Sequence, residues 1–395
     1  MDDLELVSLI VDNEGPLCPF CLGSLIGLKL GNYPNYLKGL AMLEVFNAIE
    51  SRKISSCVVC EDLIPQNIDQ MVERALKKLR GIEFHSVKVG VRLPPNVIER
   101  EDRIRAKYNP PNMESVKLTL IKWLDLVLSS STGKNVDKDP DALLIFDFSV
   151  KDVTLHLRPV FVYGRYRKLR RGISQSRRKC PHCEGRGCEK CDWTGKIAEG
   201  SVEGMIGEVM RVFFEAEDYV LHGAGREDVD ALMLGKGRPF VMEIISPKRR
   251  TLDLKILQRE INDKWRGSIE VLDLRYSDRK EVRRIKESSS DVRKLYKAIV
   301  EVEGGITDEE LTKVEKILTG AVIRQRTPKR VAWRRADLVR VKKVYEVKAR
   351  RIDDKTFEVT VLCDGGLYVK ELISGDDGRT RPSVSEVLGK KAFCR

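Results

Sequence analysis

Asp228 is the residue on which a chemical reading of this chain turns. It stands in H-G-A-G-R-E-D-V-D, His222 to Asp230, on a turn between two apolar runs and two positions after Arg226. Gly223 and Gly225 allow backbone angles that other residues avoid, so the turn can bend sharply and bring an acidic side chain against a large planar substrate. A carboxylate so placed suits nucleophilic or acid/base work. A charged surface turn has the same letters, and the companions of Asp228 decide between the two.

Two later segments supply such companions. Asp291 to Val300 carries Lys294-Leu295-Tyr296, and Cys363 to Gly375 carries Tyr368, Lys370 and Leu372 after a double glycine. Between them, Arg324 to Arg351 has only Asp337 and Glu346 as acids. Taken singly, each segment reads as core filler with solvated cations; together they predict a cationic cleft around one carboxylate.

A second chemistry lies in the cysteines. Eight of the ten fall into four C-x-x-C pairs, a spacing that points to metal and not to a secreted disulfide scaffold. Cys18 and Cys21 with Cys57 and Cys60 make one four-sulfur set, the arrangement structural zinc prefers. Cys180, Cys183, Cys188 and Cys191 fall within twelve residues, and Gly185 and Gly187 between them let both turns fold onto one ion. A set so compact has little room for an open catalytic position, so it reads as a structural clasp. His182 is expected to face solvent, and Cys363 and Cys394 to be ordinary strand and tail residues.

Several function classes are excluded. No P-loop, H-E-x-x-H or complete G-x-G-x-x-G appears, which removes nucleotide-cofactor enzymes. Only four histidines occur, and no Ser or Cys is flanked as a nucleophile elbow, so hydrolytic triads lack support. A chain of 395 residues with net charge +12 is long enough for two or three domains and favours an anionic partner, nucleic acid first. No run of about 18 apolar residues occurs, and M-D-D-L-E-L lacks the features of a signal peptide, so a cytoplasmic protein without a membrane partner is expected.

The elements that must position these residues follow from periodicity. Helices are predicted over Leu37 to Glu50, Ile68 to Arg80 and Ser115 to Leu128, with a strand at E-F-H-S-V-K-V-G-V-R-L. D-A-L-L-I-F-D-F-S and V-T-L-H-L-R-P-V-F-V-Y-G-R-Y read as two strands joined by a turn at Lys151 and Asp152. From Arg165 to Lys179 there are many cations and no acid, with Tyr163 and Tyr166 at the edge, a composition suited to RNA. After a helix at S-V-E-G-M-I-G-E-V-M-R-V-F-F, four strand-like runs predict a mixed sheet with flanking helices. The expected divisions are a cysteine-knuckle region over 1–65, an α/β module over 66–179, the second cysteine cluster over 180–200 and a chemical domain over 201–395. The fold class is multidomain α+β.

At this point the residues carry a resemblance. G-R-E-D is similar to the G-R-x-D loop of pseudouridine synthases, K-L-Y to their K-x-Y element and G-G-L-Y-V-K-E-L to their G-x-Y-x-R/K-x-L element. H-G-A-G-R-E-D-V-D, G-R-P-F, R-R-A-D-L-V-R and the run from Tyr368 to Gly389, with two cysteine clusters, resemble the Pus-ten family of tRNA pseudouridine synthases over nearly the whole chain. The resemblance implies a THUMP RNA-binding domain in the α/β module, a pseudouridine synthase catalytic domain, structural zinc and no organic cofactor. It further implies a monomer acting on the T-arm of tRNA, at uridines 54 and 55. Asp228 would be the nucleophile, with Asp230 the close alternative; addition to the ring, addition to the sugar and removal of a proton all stay open. Tyr296 would stack on the target base, Tyr368 and Leu372 would line the same pocket, and Lys370 would pair with the aspartate and hold it ionised. Arg226 would fill the space left by the extruded uridine or clamp its phosphate. The chain stops at K-A-F-C-R, so the C-terminal edge of the catalytic sheet is expected to be shortened. The alternative is a non-catalytic zinc-containing tRNA-binding protein in which G-R-E-D is a structural turn. Another THUMP-containing tRNA enzyme, a methyltransferase or thiouridine synthase, lacks its glycine-rich cofactor loop here.

Overall fold

A computed structural model describes residues 3–25, 33–50, 56–109, 113–287 and 292–395. Met1, Asp2 and Asp291, which figure in the sequence reading, lie outside the described residues. Among the described residues four helices precede the first strand, and the first sheet is followed by two further sheets and by the two-stranded pair of Arg178–Lys179 with Lys196–Ile197.

The first part is built on a four-stranded sheet. Ser86–Arg92 pairs parallel with Asn135–Val136 on one side and with Ala142–Asp147 on the other, and Ala142–Asp147 turns back to pair antiparallel with Asp152–Leu157. The helix predicted from Ile68 starts earlier, at Leu63, and runs to Leu79; Pro65 falls in its first turn, where its missing N–H breaks no helical bond. Its Ile64, Ile68, Met71, Ala75 and Leu79 are buried at helical spacing. The helix Val116–Thr132 starts where Ser115 Oγ accepts the Leu118 N–H at 3.2 Å, and stops at Gly133 with φ 67°. One hydrophobic core runs from Leu6 to Val153 and contains Cys18, Cys21, Cys57 and Cys60, so the N-terminal helices and the α/β module share their packing. Phe20 stacks on Tyr36 and meets Trp123 edge-on within it.

The strand expected as one run from Val153 to Tyr166 breaks at Arg158-Pro159. Pro159 has no N–H for a ladder, and Val160–Lys168 enters a different sheet. There it lies between Met233–Ile245 and Ile269–Ser277, antiparallel to both, with Asp218–Gly223 on the far side of Met233–Ile245. Its alternate residues face opposite ways: Val162 and Tyr166 pack in the core with the helices Val202–Phe213 and Leu254–Lys264, and Phe161 and Tyr163 pack against Val282 and Ile285 of Arg279–Glu287.

A six-stranded sheet follows, in the order Thr380–Arg381, Val322–Arg326, Val339–Arg351, Thr356–Cys363, Lys294–Val302 and Ala392–Cys394. Asp308–Leu318, Val369–Ser374 and Val384–Leu388 contribute to its core, the first opened by a capping box between Thr307 and Glu310. Both larger later sheets are antiparallel throughout, and among the described strands parallel pairing occurs in the first sheet. The C-terminal Ala392–Cys394 serves as an edge strand on Lys294–Val302.

The first sheet meets the second through buried polar groups. Asp141 accepts the His85 N–H at 2.9 Å and pairs with Arg158 at 2.6 Å and with Arg250 at 3.2 Å. Glu83 accepts the N–H groups of Arg250 and Thr251 at 2.7 and 3.1 Å, while its own N–H reaches Lys248 O at 2.7 Å. Burial works against the Asp141 charge, but the His85 N–H and the two guanidinium groups outweigh it and hold its carboxyl below the usual range. A folded pKa below the unfolded one makes this stabilisation complete above the unfolded pKa of about 3.9 and lost as pH falls through the folded value. Asp141→Asn is therefore expected to cost on the order of 3 kcal/mol at neutral pH, because Arg250 is left buried and unpaired, and to flatten the loss of stability below about pH 4. Urea denaturation of both proteins across that range checks the two effects together.

Candidate active site

Asp228 lies between strands Asp218–Gly223 and Met233–Ile245, in a stretch with no helix or ladder to hold it. Side chains do that work instead. Lys168 is fully buried, and its Nζ donates to the carbonyls of Asp228 at 2.9 Å, Val229 at 3.2 Å and Ile173 at 2.9 Å. Gln175 donates to Gly225 O and to the Tyr166 hydroxyl, both at 2.9 Å, and Arg238 donates to Ala224 O at 2.7 Å. Glu227 turns inward, accepting from the Tyr166 hydroxyl at 2.8 Å and pairing with Arg238 at 2.9 Å. Burial pushes the Lys168 ammonium down from the usual lysine range, with Glu227, Asp230 and Asp228 pulling against it. Gly225 takes φ 82°, and a Cβ there would meet Arg238 Nη1 at 2.8 Å.

The opposite wall comes from the six-stranded half. Arg330, on the 3-10 segment Lys329–Arg334, reaches Asp228 with Nη1 to Oδ1 at 3.1 Å and Nη2 to Oδ2 at 3.0 Å. The Nε edge of the same guanidinium meets Glu371 Oε1 at 2.7 Å, and Glu371 is buried. Burial opposes the charge of Arg330, yet the bonds to Glu371 and Asp228 raise its pKa above the usual arginine value. Lys370 lies 4.0 Å from Asp228 Oδ2 and makes its short contact, 2.5 Å, with Asp230 Oδ2. That bond holds the Asp230 carboxyl below the usual carboxylate range.

Tyr368 opens the helix Val369–Ser374, and its backbone is fixed on both sides by the buried amide of Gln325, which accepts its N–H at 2.8 Å and donates to its O at 3.0 Å. Its ring centroid lies 5.8 Å from the Arg330 guanidinium carbon. Tyr296 stands on Lys294–Val302 with its side chain partly exposed, and burial first, then negative charges that include Asp228 and Glu227, raise its hydroxyl pKa. The Asp228 side chain is 36 % exposed, so a ligand in the cleft can touch it. Arg226 turns to a cavity of about 400 Å³ shared with Arg335, Ala336 and Arg340.

The structure thus brings Asp228, Asp230, Tyr296, Tyr368 and Lys370 to one cleft, with Arg226 at its rim. Leu372 is different: it is fully buried in the core behind the cleft and packs the helix that carries Lys370. The direct partner of Asp228 is Arg330 and not Lys370. Arg330, Glu371, Lys168, Gln175 and Arg238 were not singled out from the sequence. Arg330 was legible only as one more cation in the basic run, and Lys168 as one of many before the second cysteine cluster.

Two further sites can hold metal. The sulfurs of Cys18, Cys21, Cys57 and Cys60, and those of Cys180, Cys183, Cys188 and Cys191, lie within 4.8 Å of one another in each set. Thiolates about 2.3 Å from one tetrahedral ion lie about 3.8 Å from each other. The sulfur separations match: 3.7 Å for Cys18 and Cys60, 3.9 Å for Cys180 and Cys188, 3.8 Å for Cys183 and Cys191. In the second set the N–H of Gly187 points at the Cys183 sulfur and that of Cys188 at the Cys191 sulfur. A Cβ on Gly187 would come within 2.7 Å of Trp193 O, which explains glycine at that turn. Burial pushes the Cys363 thiol up to about 12, so it is no reactive thiolate at neutral pH.

Comparison with known proteins gives this cleft a family. A family model described as Pus10, C-terminal, matches residues 161–394, and one described as Pus10 THUMP domain, archaeal, matches 71–147. The chain is 63% identical over 352 residues to "tRNA pseudouridine synthase Pus10" of Korarchaeum cryptofilum, covering 89% of this chain and 94% of that protein. It is 41% identical to the protein of the same name from Methanothermobacter marburgensis, covering 100% and 97%. Among solved structures, a chain of a Cbf5-Nop10-Gar1 complex is 14% identical with a TM-score of 0.29, covering 47% of this chain and 40% of that one, too slight a likeness to bear on the fold. With both domain models matched in order along the chain and the cleft lying wholly within the C-terminal match, the chain belongs to the Pus10 family of tRNA pseudouridine synthases.

Proposed function

We propose that this enzyme converts uridines 54 and 55 in the T-loop of tRNA to pseudouridine, with Asp228 as its nucleophile and no organic cofactor. The observation that carries this reading is a reachable carboxylate on a side-chain-pinned turn, facing two tyrosines and two cations. In the reaction the bond from the ribose C1′ to N1 breaks, the uracil turns in the site, and C1′ joins C5. The hydrogen at C5 leaves as a proton and N1 gains one, so the product is an isomer and no electrons are exchanged. A carboxylate can act as nucleophile only when ionised and held close to the reacting atoms.

The other residues divide the work. Tyr296 and Tyr368 offer rings on which a uridine turned out of its stack can rest, repaying part of the cost of unstacking it. Lys370 and Arg330 set positive charge where RNA brings negative charge, and Arg226 faces the phosphates or the gap left by the base. Residues 71–147 carry the THUMP match and would grip the tRNA away from the cleft. Of the stretch 66–179 read from the sequence as that module, the strand Val160–Lys168 pairs with strands of the C-terminal match and lies under the Asp228 turn. Among the described residues no helix is long and apolar enough to cross a membrane, and we take the enzyme to work as a cytoplasmic monomer.

Both cysteine sets are taken as structural zinc sites. Neither contributes a residue to the cleft, so the ions would hold shape and take no part in bond making.

Incubation of an unmodified tRNA transcript with wild type and variants, followed by mapping of pseudouridine, tests the chemistry. Wild type is expected to modify positions 54 and 55, and Asp228→Ala to lose activity on the order of 10³-fold or more while still binding tRNA. Product from Asp228→Ala together with none from Asp230→Ala would transfer the role to Asp230. No product from wild type on several tRNAs would leave a non-catalytic RNA-binding protein.

Elemental analysis is expected to find two zinc ions per chain, one for each cysteine set. Removing them is expected to lower the melting temperature before it slows a folded enzyme; a metal-free protein with unchanged stability would count against the assignment.

A further inference from the structure

We propose that Arg330 is the positioning residue of Asp228, a role that the family pattern assigns by position to Lys370. The inference rests on Asp228 being the nucleophile. The guanidinium meets both oxygens of Asp228, donating from Nη1 to Oδ1 at 3.1 Å and standing in an ion-pair contact from Nη2 to Oδ2 at 3.0 Å. The planar fork thereby fixes the tilt of the carboxylate as well as its place, which a single ammonium contact does not. The remaining lone pairs of the carboxylate are left for the substrate.

The guanidinium is itself held. Its Nε and Nη2 face the two oxygens of Glu371 at 2.7 and 3.4 Å, and the Glu371 side chain is only 6% exposed. The turn that carries Arg330 is anchored at its start, where the Lys329 N–H meets Asp376 Oδ2 at 3.1 Å and its Nζ meets Asp377 at 2.6 Å, and Val331 is buried behind it. Arg330 thus spans two carboxylates from two parts of the molecule: Asp228 beside the sheet that holds Val160–Lys168 and Met233–Ile245, and Glu371 on a helix of the six-stranded one. Lys370 is committed to Asp230 and stands off from Asp228 at 4.0 Å. The two cations therefore serve two different aspartates.

The test measures single-turnover pseudouridine formation and tRNA affinity for Arg330→Ala and Arg330→Lys, beside wild type and Asp228→Ala. Arg330→Ala is expected to react about 10²-fold more slowly, the usual order for removing one preorganised charged donor from a reaction centre, with tRNA affinity nearly kept. Arg330→Lys keeps the charge without the fork and is expected to recover only part of the rate. Guanidinium ion at tens of millimolar should restore activity to Arg330→Ala several-fold, where ammonium at the same ionic strength should not. A residue needed only for folding would show no such rescue, and Arg330→Lys carries the comparison should the alanine variant not fold. Wild-type rate in Arg330→Ala, full recovery in Arg330→Lys, a loss confined to tRNA affinity or absent rescue would each overturn the proposal. Product from Asp228→Ala, or none from wild type, would instead strike the reading of Asp228 itself.

Discussion

A functional carboxylate on an irregular turn has no backbone ladder to keep it in place, and its position must come from side chains that occupy the turn's own carbonyls. Here the carbonyls of Ala224, Gly225, Asp228 and Val229 are taken by Arg238, Gln175 and Lys168, and the N–H of Gly172 adds a second bond to Val229. The donors come from beneath, from strands of the sheet and the segment after it. The buried charges are of both signs: Glu227 lies among two cations, Arg238 and Lys168, and the Tyr166 hydroxyl. Water-filled or unpaired, any of these groups would be costly to bury; joined in one network they turn that cost into rigidity. The strand Val160–Lys168 therefore serves two ends, since it sits between two strands of its sheet and delivers Tyr166 and Lys168 under the turn.

Positioning from beneath and charge from across are separate tasks in this cleft. The sheet of Val160–Lys168 and Met233–Ile245 fixes where Asp228 sits, and the six-stranded half, through Arg330 and Glu371, bears on how it is turned. An enzyme whose substrate is a polyanion needs cations in the cleft, yet cations free to wander would pair with phosphate and leave the carboxylate bare. Tying Arg330 to buried Glu371 and Lys370 to Asp230 keeps both from doing so.

Much of this was legible beforehand, for reasons that can be stated residue by residue. The cysteine spacing is a local pattern, and the sulfurs meet as it requires. Helices such as Leu63–Leu79 follow from an apolar period that neighbours reinforce. Asp228, Tyr296, Tyr368 and Lys370 were found because each sits in a short motif, and the fold gathers them. What escaped were contacts set by tertiary structure. Arg330 lies in a run of many cations, and nothing in the run marks which one crosses to Asp228, 102 positions away in sequence. Lys168 reads as a solvated charge until its strand is seen buried between two others. Leu372 shares its motif with Lys370, yet two positions along a helix, about 200° of rotation, put the leucine in the core and the lysine in the cleft. Pro159 cannot donate to a ladder, but the period on either side of it reads as one strand and hides the change of sheet.

The joint between the first sheet and the second extends the same logic to a larger scale. A hydrophobic seam would hold the two bodies together without fixing their angle, since apolar contact has little direction. Asp141 instead takes one backbone N–H and two guanidinium groups, and Glu83 takes two backbone N–H groups from Arg250 and Thr251. Bonds of this kind have preferred lengths and angles, and each buried partner is costly to expose alone. The accessory module is itself tied by one continuous core to the N-terminal cysteine set, so a single directional joint relates everything before Arg158 to the cleft. The setting of the THUMP-matched region against the cleft thus rests in part on two carboxylates, the buried one of Asp141 and the half-buried one of Glu83.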